Sequence, residues 1–205
     1  MAEPKLIIAT HNVGKLAELR DILAAEVAGI NPETIVTAEQ WNVPDVKEDG
    51  TTFAANALLK ARAVSQATGL PAVADDSGLA VNIMGGSPGI FSARWSGRHG
   101  DDEANNRLLL AQLSDIPERR RGAQFVCAAA FVSPSGFEHI ADGVMKGRLL
   151  AEPRGEAGFG YDPLFLPDGY DRSAAELSAD EKNAISHRGQ ALKALASVIS
   201  EHVEF

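Results

Sequence analysis

The longest unbroken apolar run in this chain is Phe125-Val126-Cys127-Ala128-Ala129-Ala130-Phe131-Val132. Eight residues suit a strand and fall far short of the about 20 needed to cross a bilayer as a helix. The chain must therefore bury its apolar side chains against one another. With 205 residues, 45% of them apolar, it has enough material for a sizeable core within one domain, residues 1–205. Its 19 glycines and 10 prolines are close to average usage and exclude collagen-like and low-complexity classes. The opening Met-Ala-Glu-Pro-Lys leads into only four apolar residues, Leu6 to Ala9. It lacks the charged region and long apolar stretch of a signal peptide, so a cytoplasmic protein with no membrane partner is expected.

Cys127 is the single cysteine. It cannot form an internal disulfide, and within its apolar run it reads as a small buried hydrophobe rather than a nucleophile. The formal net charge of −9 repels a nucleic-acid backbone at long range, so no nucleic-acid partner is expected. An anionic ligand would have to be held by local cations, backbone N–H groups or a metal.

Periodicity and turn signals divide the chain without a linker. Lys5 to Ala9 reads as a buried strand. Lys15 to about Ala25 reads as an amphipathic helix carrying Leu16, Leu19, Ile22 and Leu23. A strand near Thr34–Thr37 and a polar loop from Asn42 to Gly50 precede a helix over Thr51–Ala67. Ala72-Val73-Ala74 begins a strand that stops at Asp75-Asp76-Ser77-Gly78, and Leu79 to Ile83 resumes as another. Asp101 to Leu113 reads as a helix with an acidic first turn. Segments near Gln124–Val132, Glu138–Val144 and Gly147–Leu150 read as an antiparallel meander. Ser178-Ala179-Asp180-Glu181 matches a capping box, and a last helix covers about Gln190–Ile199. Arg119-Arg120-Arg121 reads as a solvated loop. Mixed strands and helices without strict alternation indicate an α/β or α+β fold with a mixed sheet.

Five segments carry chemistry. Thr10-His11-Asn12-Val13-Gly14-Lys15 joins a strand to a helix and is either an anion site built from backbone N–H groups and a Lys, or an ordinary Asn-type helix entry. It is not a Walker A loop, since the first Gly and final Ser/Thr are missing. In Asp75-Asp76-Ser77-Gly78, alternation sends successive side chains to opposite faces. One aspartate can then enter a pocket while the other makes a structural bond, and Asp76 is the candidate ligand or base; the alternative is a turn capping itself. Glu48 and Asp49 are competing second acids, or helix-capping acids on a solvated loop. Gly158-Phe159-Gly160-Tyr161-Asp162-Pro163 suits close approach to a flat ligand with Phe159 or Tyr161 stacking on it, or else a tight turn. Lys182 with Ser186-His187-Arg188-Gly189 supplies donors ahead of the last helix, where an exposed Arg is the plain alternative.

Taken in order, these blocks together with Pro88-Gly89-Ile90-Phe91-Ser92-Ala93-Arg94-Trp95-Ser96-Gly97 resemble the inosine/xanthosine triphosphate pyrophosphatase family. The resemblance covers nearly the whole chain. It implies hydrolysis of non-canonical purine nucleoside triphosphates (ITP, dITP, XTP) to the monophosphate and pyrophosphate, which cleanses the nucleotide pool. The fold implied is α/β, with an elongated mixed central sheet, helices on both sides and two lobes flanking a cleft. The resemblance further implies a homodimer and Mg²⁺ as cofactor. Carried over residue by residue, Thr10, His11, Asn12, Val13, Gly14 and Lys15 would hold the triphosphate. Glu48 and Asp76 would serve the metal, with Asp76 also the catalytic proton acceptor. Ser77, Phe159, Gly160, Tyr161, Asp162, Lys182, His187 and Arg188 would line the nucleotide.

Overall fold

The computed structural model describes every residue except Met1, His11, Glu39, Gln40, Asn42, Pro44, Asp45 and Phe205, and all but the side chain of Val13. Six strands form one sheet: β1 (Leu6–Ile8), β2 (Ile35–Thr37), β3 (Ala72–Val81), β4 (Gly122–Val132), β5 (Glu138–Leu149) and β6 (Phe165–Pro167), in the order β2-β1-β3-β4-β5-β6. The sheet is mixed. β1 pairs parallel with β2 and with β3, and β5 pairs antiparallel with β6. Five helices accompany it among the described residues: α1 (Val13–Glu26), α2 (Phe53–Thr68), α3 (Asp102–Gln112), α4 (Ala179–Ile185) and α5 (His187–His202).

The chain packs as two compact units. The first comprises Met1–Asp76, Cys127–Gly143 and Arg188–Phe205; the second comprises Ser77–Val126 and Val144–His187. In the first unit, strand alternation divides the core in two. Leu6, Ile8, Val73, Cys127, Ala129 and Phe131 meet Leu19 and Leu23 of α1 and Leu192 and Leu195 of α5. Ile7, Ala72, Ala74, Ala130 and Val132 meet Ala57, Ala61 and Val64 of α2. The apolar run from Phe125 to Val132 is therefore covered on both faces, which is why it lacks a polar alternation. The second unit closes around Leu79, Leu109, Phe125, Met145, Leu149, Leu164 and Phe165.

Several local readings are corrected. β3 does not stop at Asp75; it runs unbroken from Ala72 to Val81, so both aspartates stand mid-strand. Gly78 looks like a turn residue but serves close packing. A Cβ there would fall 2.5 Å from the Gly89 carbonyl oxygen and clash with the Ser92 side chain. Ser92 Oγ in turn accepts from the Leu79 N–H at 2.9 Å. The two short strands expected over 138–150 are one, β5, and β6 was missed because three residues carry no periodicity. Arg121 is not solvated. It is buried, and its guanidinium donates to the carbonyl oxygens of Leu113, Ile116 and Leu150. Cys127 is fully buried, and desolvation pushes its thiol far above the ordinary range. No helix among the described residues is long and apolar enough to cross a membrane.

Candidate functional site

In the first unit the site begins at the end of β1. Thr10 Oγ1 accepts from the Asn12 N–H at 3.2 Å, and Asn12 Oδ1 caps α1 by accepting from the Lys15 N–H at 3.0 Å. Asn12 thus caps the helix entry, and the entry aims Lys15 inward rather than into solvent. Lys15 Nζ lies 3.1 Å from Asp75 Oδ2, which also accepts from Arg188 Nε at 3.2 Å. Arg188 Nη1 reaches Glu18 Oε2 at 2.9 Å. The Asp75 side chain has no exposed surface. A carboxylate so deeply buried requires paired charges, and α1 and α5 supply them. His11 lies outside the described residues. Gly14 sits in the first turn of α1, as does the backbone of Val13, whose side chain is outside the description.

Asp76 faces the other way, as strand alternation requires. Its Oδ2 accepts from Asn56 Nδ2 at 3.0 Å, and its Oδ1 lies 3.5 Å from Lys60 Nζ. Asn56 and Lys60 are one turn apart on α2 and so share a face. Lys60 Nζ also lies 3.2 Å from Glu48 Oε1. Asn56 draws the acidic loop in as well, since its Oδ1 accepts from the Gly50 N–H at 2.9 Å. A side chain at Gly50 would run into that oxygen, which explains the glycine. Asp49 is exposed and pairs only loosely with Lys47, at 3.8 Å. Of the two acids left open by the sequence, Glu48 is the one beside Asp76's partner.

Electrostatics differ between the two groups. Burial pushes the Asp76 carboxyl above the ordinary carboxylate range, while Lys60, Lys15 and Asn56 pull it back. Burial alone would depress the Lys60 ammonium, but Asp76, Asp75 and Glu48 outweigh it and raise its pKa. Lys60 escaped the sequence reading because a lone Lys on a helix carries no motif. Its signal was the i, i+4 spacing from Asn56.

The second unit holds the glycine-rich loop. Asp162 is its hub: Oδ2 accepts from the Phe159 N–H at 2.9 Å and from Lys182 Nζ at 2.8 Å. Gly158 has φ +76°, and a Cβ there would overlap Asp162 Oδ2, so only glycine fits. Lys182 Nζ also stands 4.9 Å from the centre of the Phe159 ring, a cation–π contact. Helix α3 grips Gly160 from both sides. Asp102 Oδ2 accepts from the Gly160 N–H at 2.7 Å, and Asn106 Nδ2 donates to the Gly160 oxygen at 2.9 Å. Tyr161 is buried in the core with its hydroxyl donating to the Ser92 oxygen at 2.9 Å. Its ring is therefore withdrawn from stacking on a ligand, which leaves Phe159, half-buried, as the aromatic of the loop. His187 is buried and stacks on Phe125, with ring centres 5.0 Å apart. Ser77 lies in β3, at the start of this unit.

The sequence blocks thus sort into two groups. Thr10, Asn12, Lys15, Glu48, Asp76 and Arg188 belong to the first unit, and Ser77, Phe159, Gly160, Tyr161, Asp162, Lys182 and His187 to the second. A family model for the Ham1 family matches residues 6–198. The chain belongs to the Ham1 family. Among Ham1 relatives, one from Streptomyces avermitilis named dITP/XTP pyrophosphatase is 59% identical over 96% of this chain and 98% of its own. A relative of the same name from Mycobacterium tuberculosis is 55% identical over 93% of both chains. The solved structure of a HAM1 protein from Coxiella burnetii superimposes with a TM-score of 0.84 at 40% identity, covering 97% of this chain and 99% of that one. The mixed α/β sheet expected from the sequence is the Ham1 sheet.

The donor chemistry also fits a hard divalent ion. Among the described residues no three His, Cys, Asp or Glu side chains gather into a complete metal cage. Glu48 and Asp76 do converge two carboxylates on a single cationic group. Mg²⁺ is usually held by one or two carboxylates, with substrate phosphates and water completing its shell.

Proposed function

We propose that this chain hydrolyses dITP, ITP and XTP to the nucleoside monophosphate and pyrophosphate, with Mg²⁺, as a single enzymatic domain over residues 1–205. The observation that carries the reading is near-full-length identity of 59% to a relative named dITP/XTP pyrophosphatase. The converging carboxylates and the adjacent ammonium groups of Lys15 and Lys60 support it.

In this reading Glu48 and Asp76 hold Mg²⁺, which when bound offsets phosphate charge and assists attack on phosphorus. Asp76 accepts the proton of the attacking water. Its partial burial favours that role by keeping the carboxylate less stabilised than one in water. Thr10, Asn12, Gly14 and Lys15 hold the triphosphate, together with His11 and Val13. Lys60 adds positive charge beside it. Attack at the α-phosphorus in line with departing pyrophosphate requires no covalent enzyme group, so catalysis rests on positioning and charge.

The second unit supplies base recognition. Phe159 stacks on the purine, and Asp162 and Lys182 keep it in place. Hypoxanthine and xanthine offer an acceptor at O6 where adenine offers an amino donor. A donor there, from Ser77, His187 or a loop N–H not already held by Asp102 or Asp162, rejects adenine by roughly 10⁴ or more. Arg188 is assigned a different part from the one its motif implied. Its guanidinium is engaged by Asp75 and Glu18, so it stabilises the first unit's charge network.

We further propose a cytoplasmic homodimer, to be checked by light scattering on the purified chain. The activity itself is tested with a panel of dITP, XTP, dATP and dGTP, measuring pyrophosphate and orthophosphate separately. Pyrophosphate from dITP and XTP alone is the expected outcome. Orthophosphate would instead indicate a phosphomonoesterase, and no turnover a nucleotide-binding sensor.

A further inference from the structure

Lys60 stands between Glu48 and Asp76, 3.2 Å from one carboxylate oxygen and 3.5 Å from the other. Resting on the functional reading above, those same two carboxylates are the metal's protein ligands. An ammonium and a divalent cation cannot both stand between one pair of carboxylates in a part-buried site, because like charges that close repel strongly. We propose that Lys60 is a built-in counter-ion that a divalent cation must displace. Its ammonium keeps the two acids paired in the nucleotide-free protein and withdraws when the cation binds together with a polyphosphate.

The residues explain how such an exchange is arranged. Glu48 and Asp76 come from different segments, a loop and a strand, and no other cation is placed against both of them among the described residues. Without Lys60, two acids would face each other in a site where burial already disfavours the charge on Asp76. Lys60 hangs from α2 on four flexible methylenes, so its head group can move while the helix stays fixed. Asn56, one turn earlier on α2, holds Asp76 independently at 3.0 Å. The carboxylate therefore keeps an orienting hydrogen bond when the ammonium leaves. Across the sheet, Asp75 is served by Lys15 and Arg188, and that network requires no rearrangement.

Linkage gives the exchange a consequence. A polyphosphate offers the displaced ammonium a new anionic partner, so nucleotide lowers the cost of displacement and tightens the cation. By reciprocity the cation tightens the nucleotide equally. Free Mg²⁺ alone would bind weakly, and the enzyme would take cation and nucleotide together.

Calorimetric titration of nucleotide-free protein with Mg²⁺ tests this on wild type, Lys60→Gln, Lys60→Arg and Lys15→Gln. Removing the counter-ion is expected to tighten Mg²⁺ by about tenfold or more in Lys60→Gln, while Lys60→Arg stays as weak as wild type. Lys15→Gln removes the same unit charge from the neighbouring aspartate and is expected to tighten Mg²⁺ by less than about threefold. Should Lys60→Gln be marginally folded, its melting temperature read with and without Mg²⁺ gives the same answer. A larger Mg²⁺-induced rise than in wild type supports displacement. Equal or weaker Mg²⁺ binding in Lys60→Gln, or equal tightening in Lys15→Gln, overturns it. Absence of pyrophosphate release by wild type would instead overturn the functional reading, which this titration does not measure.

Discussion

The first unit confronts buried carboxylates with buried or partly buried cations, Asp75 with Lys15 and Arg188 on one sheet face and Asp76 with Lys60 on the other. The second unit shapes its loop chiefly through the backbone. Asp162 accepts from the Phe159 N–H, α3 holds Gly160 by its N–H and its oxygen, and Gly158 adopts a conformation closed to other residues. The first arrangement suits handling of charge, and its parts fail when one partner of a buried pair is lost. The second suits recognition of a shape, and its parts fail by loosening. Substitutions in the two units should therefore differ in kind as well as in size.

The largest expected effect is in the first unit. Asp76→Asn keeps the side chain's volume but removes the proposed proton acceptor, and turnover should fall by about 10³-fold or more with the circular dichroism spectrum unchanged. Near-wild-type pyrophosphate release would remove Asp76 from the chemistry. Next comes Arg188→Ala, which strips a buried partner from Asp75 and Glu18 and should cost about 3 kcal/mol in urea denaturation. A variant of full stability with an altered preference between ITP and ATP would return Arg188 to base recognition, as its motif first implied.

A smaller effect of another kind is expected in the second unit. Asp102→Ala frees the Gly160 N–H from α3, and should raise KM for dITP about tenfold with kcat nearly kept. Asp102→Asn retains an acceptor and should restore most of the loss. A fall in kcat with KM unchanged would break the distinction between the units.

The smallest concerns pH. Burial raises the Asp76 pKa and the Asn56 hydrogen bond lowers it. As the proposed proton acceptor Asp76 must be deprotonated to act, so activity should fall as pH drops through that raised value. Asn56→Ala removes a pull toward the ionised form and should move the acid limb of the kcat profile to higher pH. An unmoved or lowered limb would separate Asn56 from the titration. In stability the sign is opposite to the usual Asp case: a raised folded pKa weakens the fold as pH rises through the window above the ordinary Asp value.

How much of this was legible beforehand depended on range. The helices at 13–26, 53–68 and 102–112 carry their own periodicity and caps, and their expected positions lay within a few residues. The division of Asp75 and Asp76 between two faces also followed from strand geometry, although the strand itself was broken in the reading because Asp-Asp-Ser-Gly looks like a turn. What pairs with each aspartate was not legible. Lys60 and Arg188 lie 16 and 113 residues away from their partners Asp76 and Asp75, and only the folded sheet and its helices choose them. Arg121 was misjudged for the same reason, since three carbonyl oxygens brought together by tertiary packing replace the water it would otherwise hold. Asp102 was read as complementing its helix's dipole, yet its carboxylate is bonded to a loop 58 residues on.

The central claim is that water attacks the α-phosphorus of a purine triphosphate under the control of Asp76. Turnover of dITP in water enriched with ¹⁸O, followed by mass spectrometry of both products, tests it most directly. The account expects one labelled oxygen in the nucleoside monophosphate and none in pyrophosphate. Label in pyrophosphate, or orthophosphate as the released product, would contradict it.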